Sequence, residues 1–362
     1  MKIMLLITGL EMGGAERQVC DLADRFISEG HQILLVSLTG NAINRPQSSY
    51  IKLVELNMKK NIFNFIFAYR QLRKLINEFR PDIVHSHMIH ANLFARLLRM
   101  SSRIPRLICT AHNTNEGSKY RMLAYRMTDW LCDINTNVSQ EAVNVSIRRK
   151  ATTENKIIHV SNGIDVDSFI HNIASRERLR AKLGLANNTP LLLAVGRLTA
   201  AKDYPNLLSA FSKLLAFYEG IQLAIIGIGE EQDKLVDMIM ELGLTERIHL
   251  LGLQRNINEW MSAADIYVMS SAWEGMPLVL LEAMACERVV VATDCGGVKE
   301  VLGDAGILVP AKNSEALAAA MNQALSLDPI TARKLGAQAR EHVIRNYSLD
   351  AVAAKWIDLY KR

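Results

Sequence analysis

The chain of 362 residues lacks any run of roughly 18 uncharged apolar residues, the length a membrane-spanning helix needs. Its longest apolar stretches, 190–196 and 276–281, have strand or core-helix length. Nor is there a basic segment, apolar core and small-residue cleavage site at its start, so a secretory leader is not expected. The five cysteines (Cys20, Cys109, Cys132, Cys286, Cys295) are odd in number and scattered, with no C-x-x-C pair. That pattern favours neither a disulfide framework nor a zinc site, and it points to a reducing, cytosolic setting. No short-period repeat and no low-complexity tract is present, which excludes a solenoid. What is there is ordinary globular material: 49% apolar and 22% charged residues, in a length that suggests two domains.

Charge is uneven along the chain. Residues 1–180 hold 25 Lys and Arg against 16 Asp and Glu, and residues 181–362 hold 17 against 21. A basic half beside an acidic one suggests that the first half faces an anionic partner: a nucleic acid, an anionic lipid or a phosphorylated acceptor. The absence of a basic-aromatic binding motif argues against nucleic acid.

Short, almost continuously apolar runs alternate with amphipathic segments. Strands are expected at 3–7, 32–38, 52–56, 83–87, 107–111, 134–138 and 157–160, with helical patterns at about 15–28, 62–79, 90–100, 118–131 and 139–149. The rhythm restarts with strands at 191–195, 222–226, 248–251, 266–269, 289–292 and 307–309, and a helix at about 204–218. Runs apolar on both faces are the mark of parallel strands covered on both sides, and strand–helix repetition gives a doubly wound α/β sheet. Two such sheets would bind ligands at the carboxyl ends of their strands. The polar stretch 165–189, with Arg176-Glu177-Arg178, is where a linker is expected.

Three segments carry chemistry. Gly9-Leu10-Glu11-Met12-Gly13-Gly14-Ala15-Glu16 follows the first strand and opens a helix, whose free N–H groups suit an anion. Its spacing is neither the dinucleotide fingerprint nor a Walker loop. Gly196-Arg197, with Lys202 beyond, follows the first strand of the second sheet and offers a guanidinium fork and an ammonium to a diphosphate. Glu274-Gly275-Met276-Pro277-Leu278-Val279-Leu280-Leu281-Glu282 places Glu282 in the second turn of an apolar helix, where a carboxylate needs partners. Pro277 is expected near the first helical position. Glu274, just before the helix, can accept hydrogen bonds from a hydroxylated ligand, and the N–H groups of Met276 and Leu278 can meet a phosphate.

Gly13-Gly14-Ala15-Glu16, Arg197, Lys202, Gly227-x-Gly229 and the Glu274/Glu282 pair, in this order over essentially the whole chain, resemble the family-4 retaining glycosyltransferases of GT-B fold. The resemblance implies two Rossmann-like doubly wound parallel-sheet domains facing a central cleft. A nucleotide sugar, UDP-linked in the first instance, would bind the second domain and the acceptor the first. Expected boundaries are 1–168, a linker at 169–189, 190–345, and a helix at 346–362 returning to the first domain. By the same resemblance Glu282 would bind the ribose, Glu274 the donor sugar, and Arg197 and Lys202 the leaving diphosphate. Gly13, Gly14, Gly196, Gly227, Gly229, Gly275, Met276, Pro277 and Leu278 would complete the donor site. Asn162-Gly163-Ile164-Asp165 is similar to the segment that ends the family's first domain.

His112 follows the strand 107–111 at its carboxyl end; in the family a histidine here lies near the transferred sugar. The Asp or Gly that often comes next is Asn113 in this chain, so only the histidine carries over. His85, His87 and His90 cluster after another strand, but no carboxylate or cysteine completes a metal set, and neither metal nor cofactor is expected. Residues 59–75 interleave Phe63, Phe65, Phe67 and Tyr69 with Lys59, Lys60, Arg70, Arg73 and Lys74, and Arg121, Arg126, Arg148, Arg149 and Lys150 add charge. Such a segment suits anionic lipid; alternatively it packs Phe63, Ile66, Phe67 and Leu72 into the core. The expected protein is a glycosyltransferase, peripheral on the cytoplasmic face of the inner membrane, that builds a lipid-linked or surface polysaccharide by same-face transfer assisted by the leaving diphosphate. The rivals are a soluble transferase making a small metabolite, a UDP-N-acetylglucosamine epimerase-like isomerase, and an inactive sugar-nucleotide-binding module.

Overall fold

The computed structural model describes every residue except Met12, Lys60 and residues 113–118, together with the side chain of Lys119. Met12 of the glycine loop, Lys60 of the basic segment and Asn113 therefore lie outside the described residues. The chain forms two compact units, Met1–Ile164 with Leu349–Arg362, and Asp165–Ser348.

The first unit runs β1 (Lys2–Gly9), α1 (Gly14–Ser28), β2 (Gln32–Thr39), β3 (Lys52–Glu55), α2 (Ile62–Phe79), β4 (Ile83–His87), α3 (Ile89–Arg99), β5 (Arg106–Ala111), α4 (Lys119–Thr128), β6 (Ile134–Asn137), α5 (Gln140–Arg148) and β7 (Ile157–His159). Its seven strands are parallel in the order β3-β2-β1-β4-β5-β6-β7. The continuous apolar run of β1 has a direct cause. Ile3, Leu5 and Ile7 join one core with Val19, Leu22 and Phe26 of α1, while Met4 and Leu6 join the opposite core with Leu72 and Ile76 of α2 and Phe94 of α3. Side chains alternate across a strand, so burial on both faces demands apolar residues at every position.

The second unit runs α6 (Ile173–Lys182), β8 (Leu191–Val195), α7 (Tyr204–Leu214), β9 (Gln222–Ile226), α8 (Gln232–Glu241), β10 (Ile248–Leu250), α9 (Ile257–Ala263), β11 (Ile266–Met269), α10 (Leu278–Ala285), β12 (Val289–Asp294), α11 (Val298–Leu302), β13 (Ile307–Pro310), α12 (Ser314–Leu325) and α13 (Pro329–Tyr347). Its six strands are parallel in the order β10-β9-β8-β11-β12-β13. The expected strands all form, within a residue or two at their ends.

The stretch 169–189 is not a linker. It carries α6, which Asn172 caps by accepting from the Ser175 N–H. The charged run that reads as a polar connection is an anchor. Arg176 pairs with Asp265 at 2.6 Å, Arg178 pairs with Glu259 at 2.7 Å, and the fully buried Arg180 donates to the Ala263 carbonyl at 2.9 Å. The last helix, α14 (Leu349–Lys361), belongs to the first unit. The Leu349 N–H donates to the Ile164 carbonyl at 2.8 Å, and Trp356 and Tyr360 enter the core beneath α1.

Along α2, Ala68, Leu72 and Ile76 are buried, whereas Phe63 is 81% exposed and Phe67 59%. Ile62 and Ile66 are exposed as well. The core-packing alternative thus holds for Leu72 and fails for Phe63, Ile66 and Phe67. No helix among the described residues is long and apolar enough to cross a membrane.

Candidate functional site

In the second sheet β8 lies between β9 and β11, so chain order reverses there. At such a switch point the loops leaving two neighbouring strands diverge and open a crevice at their carboxyl ends. The loop after β8 carries Gly196, Arg197 and Lys202; the loop after β11 carries Ser271 and Glu274. Strand order thus unites residues that β9 and β10 separate in sequence.

The Lys202 ammonium meets Glu274 Oε1 at 2.5 Å, and Ser271 Oγ donates to the same oxygen at 2.7 Å. Both Lys202 and Glu274 are largely buried, with side chains 18% and 14% exposed. The backbones are tied too: the Ala272 N–H donates to the Ala201 carbonyl, and Ser270 Oγ donates to the Lys202 carbonyl, each at 2.8 Å. Arg197 is exposed. Tyr204 is buried and donates through its hydroxyl to the Gly196 carbonyl at 3.0 Å. Burial pushes its phenol up, well clear of neutral pH, so it stays a donor.

Gly227 and Gly229 are packing glycines. Gly227 has φ 152°, and a side chain on it would collide with the Gly196 carbonyl; one on Gly229 would collide with Leu198. The two loops therefore stack backbone on backbone, with the Leu198 N–H donating to the Ile228 carbonyl at 3.0 Å.

Gly275, Met276, Pro277 and Leu278 are buried and lead into α10. Pro277 takes the capping position, one residue earlier than expected, because Leu278 is the first residue with helical backbone. A proline cap has no side-chain acceptor, so the N-terminus of α10 keeps its partial positive charge for a ligand. Glu282 lies in the next turn and is 4% exposed, between Leu281 and Ala283.

Gly296 and Gly297 escaped the sequence reading. Gly296 has φ 55° and abuts the Glu274 carbonyl, and the Gly297 N–H donates to the Gly275 carbonyl at 2.9 Å. They brace the Glu274 loop from β12. A Gly-Gly pair after a strand was the available signal.

Gly13, Gly14 and His112 lie in the first unit. Gly13 caps α1, and a side chain on it would strike the Glu16 carboxylate, which folds over this helix start. The anion at this N-terminus is thus one the chain supplies itself. His112 stands one residue beyond β5 and is half-buried; its Nε2 lies 3.1 Å from Nδ1 of His87. His85 is buried behind, its Nδ1 2.6 Å from the Tyr360 hydroxyl and its Nε2 2.6 Å from Thr110 Oγ1. Burial lowers the pKa of all three, that of His112 to about 4, so all are neutral at pH 7. The rings of His85 and His87 pack at a 39° tilt with centres 4.0 Å apart, while His90 is exposed. Among the described residues no three His, Cys, Asp or Glu side chains gather as a metal would require. The first unit also has a small pocket lined by Asn92, Arg96, Tyr125, Asn135, Thr136 and Arg149 among others. Sequence reading missed it, because its polar side chains come from α3, α4, β6 and α5.

Two family models divide the chain between them: Glycosyltransferase Family 4 matches residues 12–168, and Glycosyl transferases group 1 matches residues 175–342. The amylovoran biosynthesis glycosyltransferase of Erwinia amylovora is 26% identical over 99% of both chains. The lipopolysaccharide core biosynthesis glycosyltransferase of Rhizobium meliloti is 23% identical over 96% of this chain and 95% of its own. Among solved structures, Anabaena HepE in complex with UDP superposes with a TM-score of 0.85 at 20% identity, covering 100% of both chains. With both sheets, their strand order and both halves of the chain accounted for, the protein belongs to the family-4 glycosyltransferases of GT-B fold.

Proposed function

We propose that this glycosyltransferase moves a sugar from a UDP-sugar to a lipid-linked or surface-polysaccharide acceptor, with retention at the anomeric carbon and without a metal. The observation that carries the reading is the Lys202–Glu274 pair at the switch point, beside the uncapped start of α10. Bond cleavage at the anomeric carbon leaves negative charge on the diphosphate, and preorganised cations and N–H groups stabilise it. Lys202, Arg197 and the N-terminus of α10 do so here. An incoming diphosphate competes with Glu274 for the Lys202 ammonium, which frees the carboxylate to accept from a sugar hydroxyl. Glu282, a turn deeper, accepts from the ribose.

Glu274 and Glu282 are both spent on donor binding, so retention does not use them as a nucleophile–acid pair. The acceptor oxygen attacks the same face, and the leaving phosphate takes its proton. His112, on the acceptor unit, contacts the transferred sugar. The exposed aromatic and basic residues of α2 support work at an anionic membrane, on the cytoplasmic face of the inner membrane. The polysaccharide and lipopolysaccharide roles named for the Erwinia and Rhizobium relatives support a polysaccharide product, and the UDP complexes of HepE support the donor.

A second reading, a soluble enzyme making a small metabolite, is favoured by 28% identity to the alpha-maltose-1-phosphate synthase of Mycobacterium tuberculosis. Incubating the enzyme with radiolabelled nucleotide sugars, with and without membrane extract, separates the two. Label entering the lipid fraction from a UDP-sugar, in an α-linkage from an α-donor, is the expected result. Label only in water-soluble product selects the second reading.

A further inference from the structure

The loop from β11 to α10, residues 270–277, is held from both sides. Toward β8, the Ala272 N–H donates to the Ala201 carbonyl and Ser270 Oγ to the Lys202 carbonyl. Toward β12, Thr293 Oγ1 donates to the Ser271 carbonyl at 2.6 Å, and the Gly297 N–H to the Gly275 carbonyl. Within this loop Ser270, Ser271, Gly275, Met276 and Pro277 are buried, and Ala272 and Glu274 are partly covered. Trp273 is the one residue of the loop that is exposed, at 52%.

A tryptophan half in water has one broad face on the protein and the other open. The chain has four tryptophans. Trp260 and Trp356 are buried; Trp130 is 70% exposed, but it precedes β6 and so stands at the amino end of its sheet. Trp273 follows β11 and stands at the carboxyl end, where such sheets bind ligands. Bonded on both flanks, its loop cannot fold the indole inward, and a ring already fixed in place loses little entropy when a ligand covers it.

The neighbours decide what the open face takes. Glu274, one residue on, offers an acceptor to hydroxyls, while Lys202 and the start of α10 draw the anionic diphosphate. A pyranose has a rim of hydroxyls and a face of C–H groups with partial positive charge, which suits the negative face of an aromatic ring. A nucleobase also stacks on indole, but the diphosphate separates base from sugar. A ring whose Cα is only about 3.8 Å from that of the sugar-binding carboxylate lies on the sugar side.

We propose that Trp273 is a stacking platform for the donor sugar: its open indole face covers the C–H face of the pyranose whose hydroxyl Glu274 accepts. The platform rests on the reading of Glu274 as the donor-sugar contact. It adds a residue that selects the sugar by its apolar face.

Calorimetry and fluorescence test it, with UDP, UDP-glucose, UDP-galactose and UDP-N-acetylglucosamine as probes. Trp273→Ala should lose roughly tenfold in affinity for the UDP-sugar that the wild type binds best, the scale of one aromatic contact, and nothing for UDP. Trp273→Phe and Trp273→Tyr should keep most of the affinity, because each retains a flat ring. On a Trp130→Phe background, Trp273 is the exposed emitter. Saturating UDP-sugar should move its emission to shorter wavelength and shield it from acrylamide, beyond any change that UDP alone produces.

An equal loss for UDP and UDP-sugar in Trp273→Ala overturns the platform, since the ring would then serve the nucleotide or the loop. Unchanged affinity for both overturns it as well, and so does an emission change no larger with UDP-sugar than with UDP. If wild-type protein binds UDP but none of the UDP-sugars, the reading of Glu274 falls and the platform falls with it. Binding of a UDP-sugar that is blind to Trp273→Ala removes the platform alone.

Discussion

Glu282 and Glu274 differ in what surrounds them, and their variants should differ in kind. Glu282→Ala removes a buried carboxylate from α10, and with it the ribose contact proposed above. UDP binding should weaken by roughly 1.5–3 kcal/mol, the range for a hydrogen bond to a charged group. Glu274→Ala releases the Lys202 ammonium, so UDP should bind at least as well while turnover falls. Calorimetry with UDP checks both; unchanged affinity in Glu282→Ala would remove the ribose assignment. Lys202→Ala and Arg197→Ala should each lower turnover by roughly a hundredfold, as when one preorganised donor is removed. Chelator should have no effect, and inactivation by EDTA that Mn²⁺ restores would contradict cation-only stabilisation.

At the scale of elements, α2 and α6 put their cations to two different ends. Both are charged helices. The arginines of α6 find Asp265, Glu259 and buried carbonyls, and the helix joins the second unit. The cations of α2 flank Phe63 and Phe67, which the core leaves outside. An exposed face of aromatics and cations binds anionic bilayers, each cation contributing about 1 kcal/mol near the surface. Replacing Lys59, Lys60, Arg70, Arg73 and Lys74 by glutamine should release the protein from anionic vesicles in co-sedimentation and spare UDP binding. Wild-type binding should weaken with salt, since the Debye length is only about 8 Å at physiological ionic strength. Wild-type protein that ignores anionic vesicles at low salt would leave α2 a solvated face and favour the soluble reading.

For the whole molecule, the return of the chain to its first unit is the governing feature. Trp356 and Tyr360 fill the core under α1, and Tyr360 holds His85. A chain ending at Ser348 would bare that core, so it should express insolubly or melt far below the full chain in calorimetry. Stability should also fall with acid. His85, His87 and His112 titrate near pH 6.5 when unfolded, but burial holds them neutral in the fold, His112 down to about pH 4. Between those values the unfolded state binds more protons, so acidification favours it. Tm should drop between pH 7 and pH 5, and less so in His112→Gln. An unchanged drop in that variant would place the acid sensitivity elsewhere.

The sequence by itself determined the two sheets, because double burial forces apolar residues at every strand position, and that pattern is local. It also determined the glycine-marked turns and the helix bearing Glu282, since steric demands at a turn act between near neighbours. It misread 169–189, because the acids that hold its arginines are 81 and 89 residues away in the chain, at Glu259 and Asp265. Only the tertiary structure decided which side chains meet. Lys202 reaches Glu274 because β8 pairs directly with β11, although β9 and β10 lie between them in sequence, and His85 reaches Tyr360 because α14 comes back over 275 residues. Only it decided that Phe63 and Phe67 stay outside, since Ala68, Leu72 and Ile76 already fill the stripe of α2 that faces the sheet. Periodicity says that a helix has an apolar face; which apolar residues the core accepts depends on the room that neighbouring elements leave.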